Sequence, residues 1–299
     1  MNVGVVAAIV AFGLWGFFPL YFRLLPQVPP AEVLANRIVW SVLLVAGALT
    51  VRRHWGWLAG VVRQPKVLAV FVLTALLLSA NWLTYIWAVS NGHVLDASLG
   101  YFITPLVNVA LGYSILGERP RHAQWVALAF AVAGVAWLAL GAGSWPWIGL
   151  VIGLSFGAYG LLRKIAVIGA LEGLTLETLL LAPAAALAMA VWWGGSPTSF
   201  PAPDLATNAW LVGLGPATAV PLLLFAVAAR RLPLTTLGLF QYLSPSIQFG
   251  LGVWLFDEPF TPARLAGFAL IWVALSLYTI DSWRVARRIS SARSPAPPR

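Results

Sequence analysis

The sequence predicts an all-α membrane protein of ten transmembrane helices, arranged as two inverted five-helix repeats. Three observations lead there. The 299 residues are 61% hydrophobic and only 9% charged, with a mean hydropathy of +0.88, and the apolar residues form long runs. The segment ASLGYFITPLVNVALGYSILGE at 97–118 returns, altered, as TTLGLFQYLSPSIQFGLGVWLFDE at 235–258. The basic residues are concentrated in alternate loops. A soluble domain carries about a quarter charged residues, so this chain has too few to cover a water-facing surface.

A helical span needs about 20 apolar residues, and ten such runs are readable: roughly 3–22, 32–51, 67–90, 96–116, 122–141, 146–166, 173–193, 208–230, 235–256 and 263–283. The breaks between them carry turn chemistry: QVPP, SNGH, GERPR, GAGSWP, GGSPTSFPAPD and DEPFTP. Period-2 alternation in segments of about ten residues, the mark of a membrane barrel, is not seen. The first run follows only Met1 and Asn2 with no basic stretch, so it reads as a span and not as a cleaved signal. Residues 284–299, RVARRISSARSPAPPR, read as a basic disordered tail.

Positive charge fixes the expected orientation. The side of the two termini holds Arg52, Arg53, Arg63, Lys66, Arg119, Arg121, Arg163, Lys164, Arg230 and Arg231. Arg284, Arg287, Arg288, Arg293 and Arg299 bring that side to 15, against Arg23 and Arg264 on the other. Arg37 falls inside a span. Both termini are therefore expected in the cytoplasm, the chain sitting in a cell inner membrane with the lipid bilayer as its surroundings. The net charge of +9 is explained by these clusters and does not require nucleic acid as a partner.

The repeat has a constant offset of 140 over its second part: Thr104 with Ser244, Pro105 with Pro245, Asn108 with Gln248, Gly112 with Gly252, Glu118 with Glu258. Upstream the offset is 138 (Leu99 with Leu237, Gly100 with Gly238, Phe102 with Phe240), so the second copy has two extra residues. FGLWG at 12–16 is echoed by FGAYG at 156–160. Residues 1–141 and 142–283 then form two units of five spans each. Five is odd, so the units enter the membrane in opposite directions, an arrangement typical of transporters whose site lies where the halves meet.

Proline in a helix frees the carbonyl four residues back and bends the helix there. In lipid such a group needs protein or a water-filled cavity to satisfy it. Pro105 and Pro245, matched between the halves, favour a cavity over kinks that only improve packing. Tyr101, Thr104 and Asn108 lie on one helical face at i, i+3 and i+7, and Gln241, Ser244 and Gln248 repeat the spacing. The two polar stripes are expected to face each other.

These residues carry a family resemblance. EVLANRIVWS at 32–41, NWLTYIWAVSNGHVLDASLGYFITPLVNVALGYSILGER at 81–119 and FQYLSPS at 240–246 resemble the RarD-like members of the EamA branch of the drug/metabolite transporter superfamily. AYGLLRKIAV at 158–167 and LIWVALSLY at 270–278 are similar too, while 194–215 diverges. The resemblance implies the ten-helix, two-repeat EamA/DMT fold, termini inside, a central cavity and a role in export. It does not specify the cargo.

Arg37 lies about five residues into the second span, roughly 8 Å from its end at about 1.5 Å per residue. A charge there costs about 2.5–3.5 kcal/mol on insertion scales. Two readings stand: a snorkelling or structural arginine paired with Glu32, or a residue that binds a substrate carboxylate or gates the outward mouth. The resemblance favours the second a little, the E-x-x-x-x-R pattern falling at a matching position. Asn81 and Tyr85 share a face at i, i+4, with Trp82 directed elsewhere; they are either helix–helix glue or cavity lining. Trp15 and Tyr159 are equivalent through the repeat and lie mid-span, for lining or for packing.

Carboxylates are scarce. Glu32, Asp96, Glu177 and Asp281 lie near span ends, and none is expected at mid-membrane, where a proton relay would sit. Glu32 and Asp96 are the candidates for coupling or ion pairing. The chain has no cysteine, its three histidines fall at loops or segment ends, and no nucleotide-binding glycine loop is present, so no metal or cofactor is expected. Gly149, Gly153 and Gly157 would pack helices within one chain as easily as between two, which leaves the oligomeric state open. An enzyme would need a nucleophile–base pair or metal cluster within the spans, and none is readable. The expectation is a secondary transporter exporting a small amphipathic metabolite, an amino acid or related compound or a drug, by alternating access. A passive facilitator or an uptake permease is the alternative.

Overall fold

Helix ends fall where the sequence supplies them. Pro30, Pro65 and Pro262 each open a helix, at the position where a missing N–H leaves nothing unsatisfied. Asp204 caps the helix from Leu205, its carboxylate accepting from Ala206 N at 3.3 Å and Thr207 N at 2.8 Å. The computed structural model describes residues 3–90, 94–141, 147–192, 200–255 and 262–292. Among these are thirteen helices and no strand. They are α1 (Val3–Gly16), α2 (Phe18–Phe22), α3 (Pro30–Val51), α4 (Gly56–Val62), α5 (Pro65–Ser90), α6 (Val94–Ser114) and α7 (His122–Gly141) in the first half. The second half has α8 (Trp147–Ile165), α9 (Ala170–Trp192), α10 (Leu205–Arg231), α11 (Leu234–Gln241), α12 (Leu243–Leu255) and α13 (Pro262–Ala292).

Among the described residues, seven stretches are long and apolar enough to cross a membrane: Val3–Phe22, Pro30–Val51, Pro65–Ala88, His122–Leu140, Trp147–Ile165, Ala170–Val191 and Leu205–Arg231. Leu265–Asp281, within α13, is a shorter apolar stretch. The chain is a multi-pass membrane protein. Large apolar side chains such as Ile9, Leu43, Leu76, Trp137 and Leu187 are exposed along these helices, as a lipid-facing surface requires.

Three helices depart from the expected spans. The first span is broken at Phe17, because Pro19 has no N–H for the carbonyl of Trp15; Gln248 Nε2 donates to that carbonyl instead, at 3.1 Å. The ninth is broken at Tyr242, between α11 and α12, where the second copy of the repeat carries its two extra residues. Its counterpart α6 runs through Pro105 unbroken. The tenth, α13, continues to Ala292, well into the segment expected to be disordered. The stretch VARRISSA contains no proline or glycine, and prolines follow only from Pro295. Residues 293–299, like 142–146 and the loop with Glu258, lie outside the described residues.

Tight packing joins α6 to α8. A Cβ added to Gly100 would come within 2.6 Å of Ile152, and one at Gly153 within 2.6 Å of Ile103. Gly153 thus serves a contact inside one chain. The other extensive contacts are α7 with α13, α3 with α9 and α10, α1 with α10, α5 with α8, and α6 with α11. The third long helix of each half packs into the opposite half: α10 against α1 and α3, α5 against α8 and α9. The main core, with Phe12, Leu78, Tyr159, Leu222 and Phe225, fills the middle. A second, with Phe102, Leu239, Tyr242, Phe268 and Ile271, joins α6, α7, α11 and α13. At the end of α6, Gly117 adopts φ 65, and the next residue, Glu118, turns back to the N-terminus of α11.

Candidate functional site

A cavity of about 70 Å³ lies where helices of both halves converge. Nine of the eleven candidate residues line it: Trp15, Arg37, Asn81, Tyr85, Tyr101, Thr104, Gln241, Ser244 and Gln248. The remaining two, Asn108 and Tyr159, stand outside its wall. Asn108 Nδ2 donates to Gln241 Oε1, tying α6 to α11 behind the cavity. Tyr159 stacks on Phe225 at 5.9 Å between ring centroids, with its hydroxyl donating to Glu177 Oε2 at 3.3 Å.

Four of the polar lining residues are held by backbone carbonyls. Ser244 Oγ donates to Phe12 O at 2.6 Å, and Gln248 to the Trp15 carbonyl freed by Pro19. Thr104 Oγ1 donates to Gly100 O within its own helix, at 2.9 Å. Asn81 Nδ2 donates to Ile152 O at 2.9 Å and Ser155 Oγ at 3.1 Å, so it both lines the wall and joins α5 to α8. Pro105 and Pro245 are buried behind this wall.

Arg37 is the charged element of the site. Nε donates to Thr218 Oγ1 on α10 at 3.0 Å. The guanidinium carbon stands 4.6 Å from the Trp82 ring centroid and 5.4 Å from that of Phe18. Contacts of this kind contribute about 2 kcal/mol when desolvated. Among the described residues these are its partners, in place of the expected pair with Glu32. Five residues on a helix is about 140° around the axis, so the two side chains leave α3 in different directions. The guanidinium's terminal N–H groups are left available to the cavity. Glu32 is buried at the start of α3, and the side chain of Asp96 lies outside the described residues.

The apolar part of the wall comes from Phe12, Phe18, Phe22, Trp82, Phe156 and Leu222. Phe12 and Phe156 are equivalent in the FGLWG and FGAYG echo, a signal present in the sequence. Trp82, expected to point elsewhere, faces the cavity. It sits about 60° from Tyr85 on the helix wheel, within the arc a large indole covers. Trp15 packs edge-on to Phe156 at 5.6 Å as part of this aromatic wall. The arrangement suits a small solute with an anionic end and an apolar body.

Glu177 was expected near a span end. Because α9 starts at Ala170, it is the eighth residue of the helix and is fully buried. Arg163, counted among the charges that set topology, is 1% exposed, with Nη1 3.7 Å from Glu177 Oε1.

Residues 2–140 match the EamA-like transporter family. The chain is 46% identical over 287 residues to an uncharacterized transporter of Pseudomonas aeruginosa, covering 96% of each chain. It is 45% identical over 299 residues to the protein RarD of Streptomyces exfoliatus, covering 99% of this chain and 94% of that one. A crystal structure of a protein 21% identical superposes with a TM-score of 0.70, covering 94% of this chain and 98% of the other. That likeness concerns the fold.

Proposed function

The chain belongs to the EamA-like transporter family, among its RarD-like members, and on that premise we propose a secondary transporter that exports small amphipathic carboxylates across the bacterial inner membrane. The observation that carries the reading is Arg37, buried in an aromatic cavity with only Nε engaged by Thr218. Its terminal N–H groups form the planar fork that recognises a carboxylate bidentately. Trp15, Phe12 and Phe156 take the apolar body, and Gln241 and Gln248 the remaining polar groups. An amino acid or a related metabolite has this form.

The mechanism is alternating access in a ten-span fold of two inverted repeats. The contacts support that reading: exchanging each helix for its repeat counterpart turns α1 with α10 into α8 with α5, and α3 with α10 into α9 with α5. The 15-to-2 charge asymmetry favours cytoplasmic termini. The test is counterflow in proteoliposomes loaded with amino acids and aromatic carboxylates, using wild type and Arg37→Ala. Saturable exchange lost in Arg37→Ala at unchanged protein yield is the expected result. Unsaturable flux indicates a channel, and exchange indifferent to the substitution removes Arg37 from the site.

A further inference from the structure

Glu177 holds in α9 the place that Arg37 holds in α3. Helices α3 and α9 start at Pro30 and Ala170, the same offset of 140 that relates Pro105 to Pro245, and both residues are eighth in their helices. Each is met by a threonine from a helix of the opposite half: Arg37 donates to Thr218 of α10, and the Thr74 hydroxyl of α5 stands beside the Glu177 carboxylate. The difference lies in what surrounds them. Arg37 faces the cavity, while Glu177 is sealed against Arg163 and Tyr159. Tyr159 in turn stacks against Phe156, which lines the cavity, so one ring separates Glu177 from the aromatic wall.

The sealed pair is not a well-satisfied one. Arg163 Nε and Nη1 and Glu177 Oε1 are buried without a hydrogen-bond partner, and the ion-pair distance is 3.7 Å. Nη2 donates to Ala170 O at 3.0 Å, and the guanidinium carbon lies 5.6 Å from the Phe71 ring centroid. Gly173 gives the guanidinium its room, since a Cβ there would overlap it. Burying two charges is costly, and an apolar pair of similar volume is often at least as stable. In an inverted-repeat carrier the oppositely open state has the two halves exchange conformations, which would place position 177 where 37 is now.

We propose that Arg163 and Glu177 form the second charged half-site of the transport path, closed on itself here and opened to solute in the opposite state. Its chemistry complements a zwitterion: Arg163 takes a carboxylate and Glu177 an ammonium group, each replacing the other's partner. The proposal rests on the carrier reading above and adds a cationic group to the solute.

Two measurements test it. The first is counterflow of phenylalanine against 3-phenylpropanoate, which lacks the ammonium group, with Glu177→Gln and with Arg163→Gln/Glu177→Gln in case one unpaired buried charge prevents folding. For Glu177→Gln the expected result is at least a tenfold loss of preference for phenylalanine with 3-phenylpropanoate exchange retained; the double variant, which also lacks the carboxylate's partner, should lose the preference and exchange both compounds more slowly. An unchanged ratio in both variants overturns the proposal. The second needs no transport. The native chain has no cysteine, so Thr74→Cys and Thr218→Cys report on the two half-sites through an impermeant maleimide. Labelling of position 74 from the face of the termini and of 218 from the other supports the proposal. Absence of labelling at 74 from both faces overturns it, whereas labelling without any exchange of either compound overturns the carrier reading instead.

Discussion

Asn108 on α6 donates its side-chain amide to Gln241 Oε1 at the end of α11, joining the two copies of the repeated segment. Both groups are buried. Asn108→Leu is expected to destabilise by about 1 kcal/mol, since it leaves Gln241 Oε1 without its donor. In the Asn108→Leu/Gln241→Leu double variant the two effects should couple by about 0.6 kcal/mol. Thermal denaturation of the four proteins in detergent gives the cycle; strict additivity would show that the amides do not depend on each other.

Arg37→Lys separates charge from shape. A lysine keeps the positive charge but cannot offer a planar fork or lie over Trp82 in the same way. Carboxylate solutes should show a KM raised at least tenfold, with maximal exchange reduced less. Equal KM values for arginine and lysine would mean that only the charge matters.

The Glu118 carboxylate accepts from Leu234 N at 2.7 Å and from Thr235 N at 2.9 Å, and Lys164 Nζ lies 3.8 Å from it. It thus caps the N-terminus of α11 from the turn that follows α6. Glu118→Ala should cost about 1–2 kcal/mol, and Glu118→Gln about half as much, because one acceptor oxygen is kept and the charge is lost. Amide exchange at Leu234 and Thr235 should accelerate in both; protection unchanged at these two amides would refute the cap.

Gly153→Leu and Gly47→Leu form a matched pair within membrane helices. The first meets Ile103 on α6, whereas nothing lies within 4 Å of a Cβ at Gly47. Overpacking at 153 should cost about 1–3 kcal/mol. At 47 the change should be neutral or stabilising by up to about 1 kcal/mol, the helix penalty of glycine. Comparable melting temperatures for the two variants would contradict the close α6–α8 approach.

Asp204 is held below the usual carboxylate range by the Thr207 N–H, the Thr207 hydroxyl and the Ala206 N–H. A depressed folded value means that its contribution is complete above the unfolded pKa of about 3.9 and is lost as pH falls through the lower folded value. Fraying of the first turn of α10 should therefore begin only below about pH 4. Asp204→Asn should abolish that pH dependence. Hydrogen exchange at Thr207 between pH 3 and 6, corrected for intrinsic rates, measures it.

The cavity was legible where one helical face repeats a spacing. Tyr101 and Thr104, and Gln241, Ser244 and Gln248, follow from i, i+3, i+7 and from the repeat. Asn108 obeys the same spacing but lies a full turn further along, where α11 crosses α6, so its partner is a side chain and not the cavity. Trp82 was obscured because a wheel position gives direction without reach. The Arg163–Glu177 pair was hidden for a different reason: the polar-tolerant turn ALEG at 170–173 begins α9 before the apolar run does, which moves Glu177 from an end to the interior. The break at Tyr242 was written in the alignment as two extra residues, but only the helix geometry shows that they are absorbed by a break and not by a loop.

Tyr21 Oη donates to Trp210 O at 2.6 Å, Gln27 Nε2 to Thr207 Oγ1 at 3.0 Å and Ser41 Oγ to Gly215 O at 3.2 Å, so with Arg37 four side chains of the first half are fastened to α10. Asn81 on α5 is fastened in turn to α8 of the second half. Neither half therefore finishes its own interior. During synthesis, α1 and α3 must wait in the bilayer with their inner faces uncovered until the helix from Leu205 to Arg231 arrives. The two halves, produced as separate polypeptides, should be degraded singly and recovered only when made in the same cell.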